Sequence, residues 1–397
     1  MEKVSKRLAS LSPSATIAMN QKSREMKENG VDVVNLSVGE PDFNTPDHIK
    51  AAAKKAIDDN FSFYAPVPGY PELRKAVVNK FKRENNLEYS PDQIVVSTGA
   101  KHSIANTMIS IIDPGDEVIV PAPYWVSYVE QVKIAEGKNV IIDAGIENEF
   151  KITADQLRKA INTKTKALLL CSPSNPTGSV YSYDELKALV EVLEDHPEIF
   201  VISDEIYEHI NFVGKHTSIA EFPGMKERTV VVNGVSKGYA MTGWRIGYIG
   251  APLWIAKACN KLQGQMTSGA TSIAQRAAIE ALEGDQSCVA DMRKAFVRRR
   301  DLVIGRLQKI AGINCIVPEG AFYVFPDMSA FYGKSAGDSR IENSMDLCLY
   351  LLEEGHIATV PGEAFGAPDN IRISYANSDE NLITAMDRLE KALTDLN

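Results

Sequence analysis

Lys237 follows a serine in NGVSKGYAMTGWRIGY (233–248), and Arg245 stands eight residues beyond it. Upstream, VISDEIYEH (201–209) closes an apolar run on Asp204 and Tyr207. An amine, a carboxylate, a phenol and a guanidinium, all on loops after strand-like runs, suit the needs of one cofactor. Pyridoxal phosphate needs a lysine to hold its aldehyde as a Schiff base and a carboxylate to keep its ring nitrogen protonated. It also needs a hydrogen bond to its ring oxygen, and an arginine with backbone N–H groups for its phosphate. The turn STGAKHS (97–103) offers those N–H groups. It follows a strand pattern and opens a helix, so the N–H groups of Gly99, Ala100 and Lys101 would face a ligand at a helix N-terminus.

Taken singly, each signal has a plainer reading. The glycine turn is ordinary capping, and Asn175 between two prolines in SPSNPTG (172–178) is a turn former. Asp204 is an acidic strand end facing water, and Lys237 and Arg245 are a pair of surface charges. His102 is a helix surface or packing residue. The joint occurrence, in this order, is what points to chemistry.

The elements that must position these residues are visible as alternation. Apolar runs, rich in β-branched residues, fall at 93–99, 116–123, 139–145, 166–173, 199–205, 229–234 and 245–251. Their nearly continuous apolar character predicts strands buried on both faces of a mostly parallel sheet. Helical patterns lie between them; SYDELKALVEVLEDH (182–196), for example, opens with a serine cap and acids in the first turn. The fold class is therefore α/β, and ligands of such open sheets bind beyond the carboxyl ends of the strands. A long charged helix from about 285 to 310 interrupts the alternation, with further helices expected around 339–355 and 378–396. We read 46–290 as a large cofactor-binding domain. Residues 1–45 and 291–397 form a smaller α+β domain with an N-terminal arm.

Composition narrows the function classes. A chain of 397 residues, 44% apolar, builds a sizeable core. The net charge of −9, spread without long blocks, argues against nucleic acid or an anionic membrane as partner. The five cysteines are scattered and none forms a C-x-x-C pair, so neither a disulfide framework nor a metal site is expected, and the setting reads as cytoplasmic. No apolar stretch approaches the length of a membrane span. The first 24 residues are basic with one acid, Glu2, a composition that transit peptides share. They run straight into helix-like SATIAMNQKSREMKENG (14–30) and read as a surface helix joined to an extended arm of a mature chain.

Seven segments together resemble the fold-type I pyridoxal phosphate aminotransferases of class I, and most closely the bacterial aspartate aminotransferases. They are PSAT (13–16), GEPDF (39–43), PYWVSY (123–128), SPSNPTG (172–178), SDEIYE (203–208), AMTGWRIGY (240–248) and RISYA (372–376), and they span essentially the whole chain. The resemblance implies that Lys237 holds the cofactor and, once released by substrate, shuttles the proton between Cα and C4′. Asp204 would pair with the ring nitrogen, Tyr207 and Asn175 would hydrogen-bond the ring oxygen, and Trp125 would stack on the ring face. Arg245, Ser236 and the N–H groups of Gly99 to Lys101 would hold the phosphate. Gly234 stands where some members carry a further hydroxyl. Tyr64, in FYAPVPGYPELR (63–74), would reach a neighbouring subunit's phosphate, implying a homodimer with shared active sites.

For substrate, Arg372 would clamp the α-carboxylate, with the Gly39 backbone, Trp125 and Asn175 lining the same site. Lys101, Ser14 and Thr16 would take a distal carboxylate. A pocket for aromatic side chains would be apolar instead, because an unpaired buried lysine is costly. The implied reaction is a ping-pong exchange of L-aspartate and 2-oxoglutarate for oxaloacetate and L-glutamate. Relatives that also accept prephenate tend to carry a lysine just before the Pro-Ser-Ala-Thr segment. Ser12 stands there, which ranks prephenate lower. The rivals are a broader aminotransferase (aromatic, alanine or kynurenine), a C–S lyase on the same scaffold, and a ligand-sensing domain. The last usually carries a DNA-binding module, for which this length leaves no room.

Overall fold

The computed structural model describes residues 4–337 and 339–397. All seven apolar runs become strands of one sheet: β1 (Ile94–Ser97), β2 (Glu117–Ala122), β3 (Lys138–Asp143), β4 (Thr165–Cys171), β5 (Phe200–Asp204), β6 (Thr229–Gly234) and β7 (Gly247–Gly250). Their spatial order is β1-β7-β6-β5-β4-β2-β3. From β3 across to β6 neighbouring strands run parallel, and β7 lies antiparallel to both β6 and β1. The mostly parallel sheet is thus as expected. The β-branched residues of its inner strands, among them Val201, Ile202, Val230 and Val231, are fully buried because helices cover both faces, whereas Ile141 on the edge strand β3 is exposed.

The helix at Tyr183–Glu194 begins where its sequence signals it: Ser182 and Glu185 form a reciprocal capping box. The helix expected around 339–355 starts only at Ser344. Asn343 caps it by accepting from the Asp346 N–H at 2.9 Å, while Ser339–Arg340 pairs with Ser335–Ala336 instead. The long helix covers Ser287–Leu307, and the last one Asp379–Thr394.

The N-terminal segment folds back on the C-terminal part. Val34–Asn35 pairs in parallel with Ile357–Ala358, and a shared apolar core joins Met19, Val34 and Leu36 to Phe296, Leu351 and Leu389. A three-stranded antiparallel sheet, with Ile371–Ser374 in its middle, places Arg372 beside that core. Among the described residues no helix is long and apolar enough to cross a membrane.

Beneath the end of β5 lies a buried charge cluster. Lys80, on the helix Pro71–Asn85, is 0% exposed, and its ammonium pairs with Glu208 and donates to Asn85 Oδ1 at 2.7 Å. Burial alone would raise the Glu208 carboxyl. The Lys80 charge, with His209 and His216 behind it, outweighs that and holds it down to about 2. Glu205 accepts from the hydroxyls of Ser203 and Ser218 and faces His216 Nε2 at 3.0 Å. The segment carrying Asp204 and Tyr207 is therefore bolted to a neighbouring helix. Removing one partner of such a pair leaves an uncompensated buried charge. Lys80→Met should destabilise the protein by about 3–5 kcal/mol in urea unfolding; a loss below about 1 kcal/mol would mean that the pair adds little.

Candidate active site

Beyond the carboxyl ends of β4 and β5 opens a cavity of about 260 Å³. Polar groups reach it from the sheet side, Tyr207 and Arg245 among them. Asp204 ends β5, Asn175 follows β4, Ser236 and Lys237 follow β6, and Lys101 lies in the first turn of the helix Ala100–Ile111 after β1. Trp125 lines it from the loop after β2. The N-terminal segment contributes Ser14, Thr16 and Gly39, and the C-terminal part contributes Arg372. Residues far apart in sequence thus converge on one site.

Asp204 is buried, and burial pushes its carboxyl up to about 6. Two donors oppose that rise: Tyr128 Oη at 2.6 Å and the Ile206 N–H at 3.3 Å. Lys237 Nζ donates to the Gly39 carbonyl at 2.5 Å. Burial lowers its ammonium to about 8; Glu40 opposes this, while Arg372 and Arg245 add to it. An amine near neutrality is a usable nucleophile and base.

Arg372 is 1% exposed, donating from Nη1 to Asn175 Oδ1 at 2.9 Å and from Nη2 to the Ser37 carbonyl at 2.6 Å. Its Nε and the Thr16 hydroxyl, both buried, have no hydrogen-bond partner among the described residues. Such orphans are expected where a ligand completes the site. The Lys101 ammonium sits 4.9 Å from the Trp125 ring centroid, and burial, then the Arg245 charge, depresses its pKa.

Three expectations are refined. The Gly99 N–H is not offered to a ligand, because it donates to the Ser97 carbonyl at 2.8 Å. The Ala100 and Lys101 N–H groups, at the start of the helix, remain for that role. Gly99 serves by its missing side chain: at φ +83, a Cβ there would collide with the Arg245 guanidinium. At Gly234 no side chain fits, since a Cβ would lie 2.8 Å from the Ile246 carbonyl. Tyr64 is 96% exposed and lies outside the cavity of its own chain.

Sequence reasoning missed Tyr128 and Tyr323. Tyr128 had a signal: it follows Trp125 by three residues in PYWVSY, and the two rings meet edge-on at 5.3 Å. Tyr323 lies in an FYVF run that reads as core. Its hydroxyl meets that of Tyr207 at 2.7 Å, and a Cβ on Gly39 would approach it to 2.6 Å.

Residues 31–389 match the family model described as "Aminotransferase class I and II". The chain belongs to that family. Among its relatives is a probable aspartate/prephenate aminotransferase of Rhizobium leguminosarum bv. phaseoli, 50% identical over 97% of each chain. Another is the aspartate aminotransferase of Geobacillus stearothermophilus, 47% identical over 98% of each. Solved structures agree. The aspartate aminotransferase of Rhizobium meliloti superposes with a TM-score of 0.96 at 44% identity, covering 100% of both chains. That of Thermus thermophilus with maleate gives 0.93 at 41%, covering 99% of this chain and 100% of the other.

The aminotransferase is thus pyridoxal-phosphate-dependent, and its residues fit that group. Asp204 is a buried carboxylate in want of a cation, Lys237 is an amine of depressed pKa, and Gly99 leaves a cradle beside Arg245 that any side chain would fill. Capture of pyridoxal phosphate by the apo-protein should accelerate with pH around a midpoint of about 8, in stopped-flow absorbance. A midpoint near the ordinary lysine value would contradict the burial of the Lys237 amine.

Proposed function

We propose that this aminotransferase exchanges the amino group of L-aspartate with 2-oxoglutarate, giving oxaloacetate and L-glutamate in two ping-pong half-reactions. The observation that carries the reading is one cavity that presents Lys237 with three further cations: Arg245 for the cofactor phosphate, and Arg372 and Lys101 for two carboxylates. Arg372 clamps the α-carboxylate, with its free Nε and the neighbouring Asn175 to complete the bonds. Lys101, with the hydroxyls of Ser14 and Thr16, takes the distal carboxylate; Ser14 heads its helix without using its side chain as a cap. The Thermus thermophilus neighbour was solved with maleate, itself a dicarboxylate, which supports this choice.

When bound, pyridoxal phosphate supplies an electron-withdrawing ring that stabilises negative charge at the substrate Cα. Asp204, held by Tyr128, would pair with the ring nitrogen and keep it protonated. Tyr207 and Asn175 would hydrogen-bond the ring oxygen, and Trp125 would pack on the ring face. Arg245, Ser236 and the Ala100 and Lys101 N–H groups would hold the phosphate. Lys237 Nζ takes the Cα proton, a role suited to an amine titrating at about 8.

In this reading residues 46–290 form the cofactor domain, while 1–45 and 291–397 close over substrate and exclude water. Tyr64, exposed with Phe63 on one segment, reaches a second copy's phosphate, so that a homodimer shares two sites. The five free cysteines support a reducing, cytoplasmic setting. Prephenate as an alternative amino acceptor is favoured by the names of several relatives. Ser12 weighs against it, standing where relatives that accept prephenate tend to carry a lysine.

The test is the absorbance of the holoenzyme. Aspartate alone should convert the cofactor band to that of the amine form, and 2-oxoglutarate, or prephenate under the second reading, should restore it. Lys101→Gln should cut kcat/KM for aspartate by about 10–100-fold, the worth of a charged hydrogen bond, and spare alanine. A band that ignores aspartate but answers to an aromatic amino acid would overturn the substrate assignment.

A further inference from the structure

The segment that follows Gly39 crosses the loop that carries Arg245, and one hydroxyl sits where they meet. Thr45 Oγ1 donates to the Ala240 carbonyl at 2.7 Å and accepts the Trp244 indole N–H at 3.0 Å. Those two residues bracket the loop, and Trp244 immediately precedes Arg245. Ala240 has φ 51° and Arg245 has φ 57°, left-handed conformations that residues with side chains keep only when their surroundings hold them. A second tie runs parallel. Thr242 Oγ1 donates to Glu40 Oε2 at 2.8 Å, and Arg245 Nη1 donates to the Thr242 carbonyl at 2.8 Å. Neither Thr45 nor Trp244 lines the cavity, so the hydroxyl serves the loop rather than a ligand.

We propose that Thr45 is a positioning residue for the cofactor phosphate. By tying both ends of the 240–245 loop to the 39–45 segment, it holds Arg245 beside Gly99, at the N-terminus of the helix Ala100–Ile111. This rests on the reading of Arg245 as a phosphate anchor. The chemistry of the side chain is specific: one hydroxyl donates to a carbonyl and accepts from an indole, which serine can reproduce and valine cannot.

The experiment titrates the apo-protein with pyridoxal 5′-phosphate and, separately, with pyridoxal, which lacks the phosphate. Thr45→Val should weaken pyridoxal 5′-phosphate binding about tenfold, as expected for two lost hydrogen bonds, and leave pyridoxal binding within about twofold. Thr45→Ser should restore wild-type affinity. Trp244→Phe, which removes one of the two bonds, should fall between and carries the same comparison if Thr45→Val does not fold. With the cofactor saturating, kcat should stay within about twofold of wild type. Equal losses for both ligands, or none in Thr45→Val, would overturn the proposal. A wild-type protein that bound neither ligand would instead overturn the proposed function.

Discussion

A carboxylate placed at the end of a buried strand is costly to keep charged, and the rest of this site is arranged around that cost. Asp204 lies opposite Cys171 of β4 and Val232 of β6, with the sheet's apolar interior directly behind it. Two donors oppose its protonation but do not cancel the burial, and its pKa rests at about 6. A positive charge delivered from the cavity would complete the balance. The buried pairs beneath it, Lys80 with Glu208 and His216 with Glu205, keep the surrounding segment fixed in place.

The same low-dielectric setting explains the amine. Burial depresses Lys237, and Arg372 and Arg245 push it further in the same direction. One environment thus raises an acid and lowers a base, drawing both towards neutrality, where proton transfer is easiest. Arg372 offsets its own burial with carbonyl acceptors and leaves its Nε without a partner among the described residues, so under the proposed function a substrate carboxylate would enter a site already built for it.

Much of this was legible in the sequence, because buried parallel strands and their polar ends leave strong marks. Every strand of the large sheet stands out as an apolar run, and Asp204, Asn175 and Lys237 lie just past such runs. What the sequence hid is tertiary. Tyr323 reads as core until the fold brings its hydroxyl to Tyr207. The Gly99 N–H reads as a phosphate donor until the turn is seen to use it on Ser97. The helix start at Ser344 depended on which polar residue would cap it, a choice that periodicity does not make.

The role given to Asp204 is the one on which the proposed chemistry turns. Replacing it by asparagine keeps the shape and the Tyr128 contact but removes the charge. The measurement is the single-turnover rate of the reconstituted Asp204→Asn protein with aspartate, beside its affinity for pyridoxal phosphate. The expected result is a folded protein that still binds the cofactor and reacts at least about 10²-fold more slowly. A rate within about threefold of wild type would contradict the role proposed for the buried carboxylate.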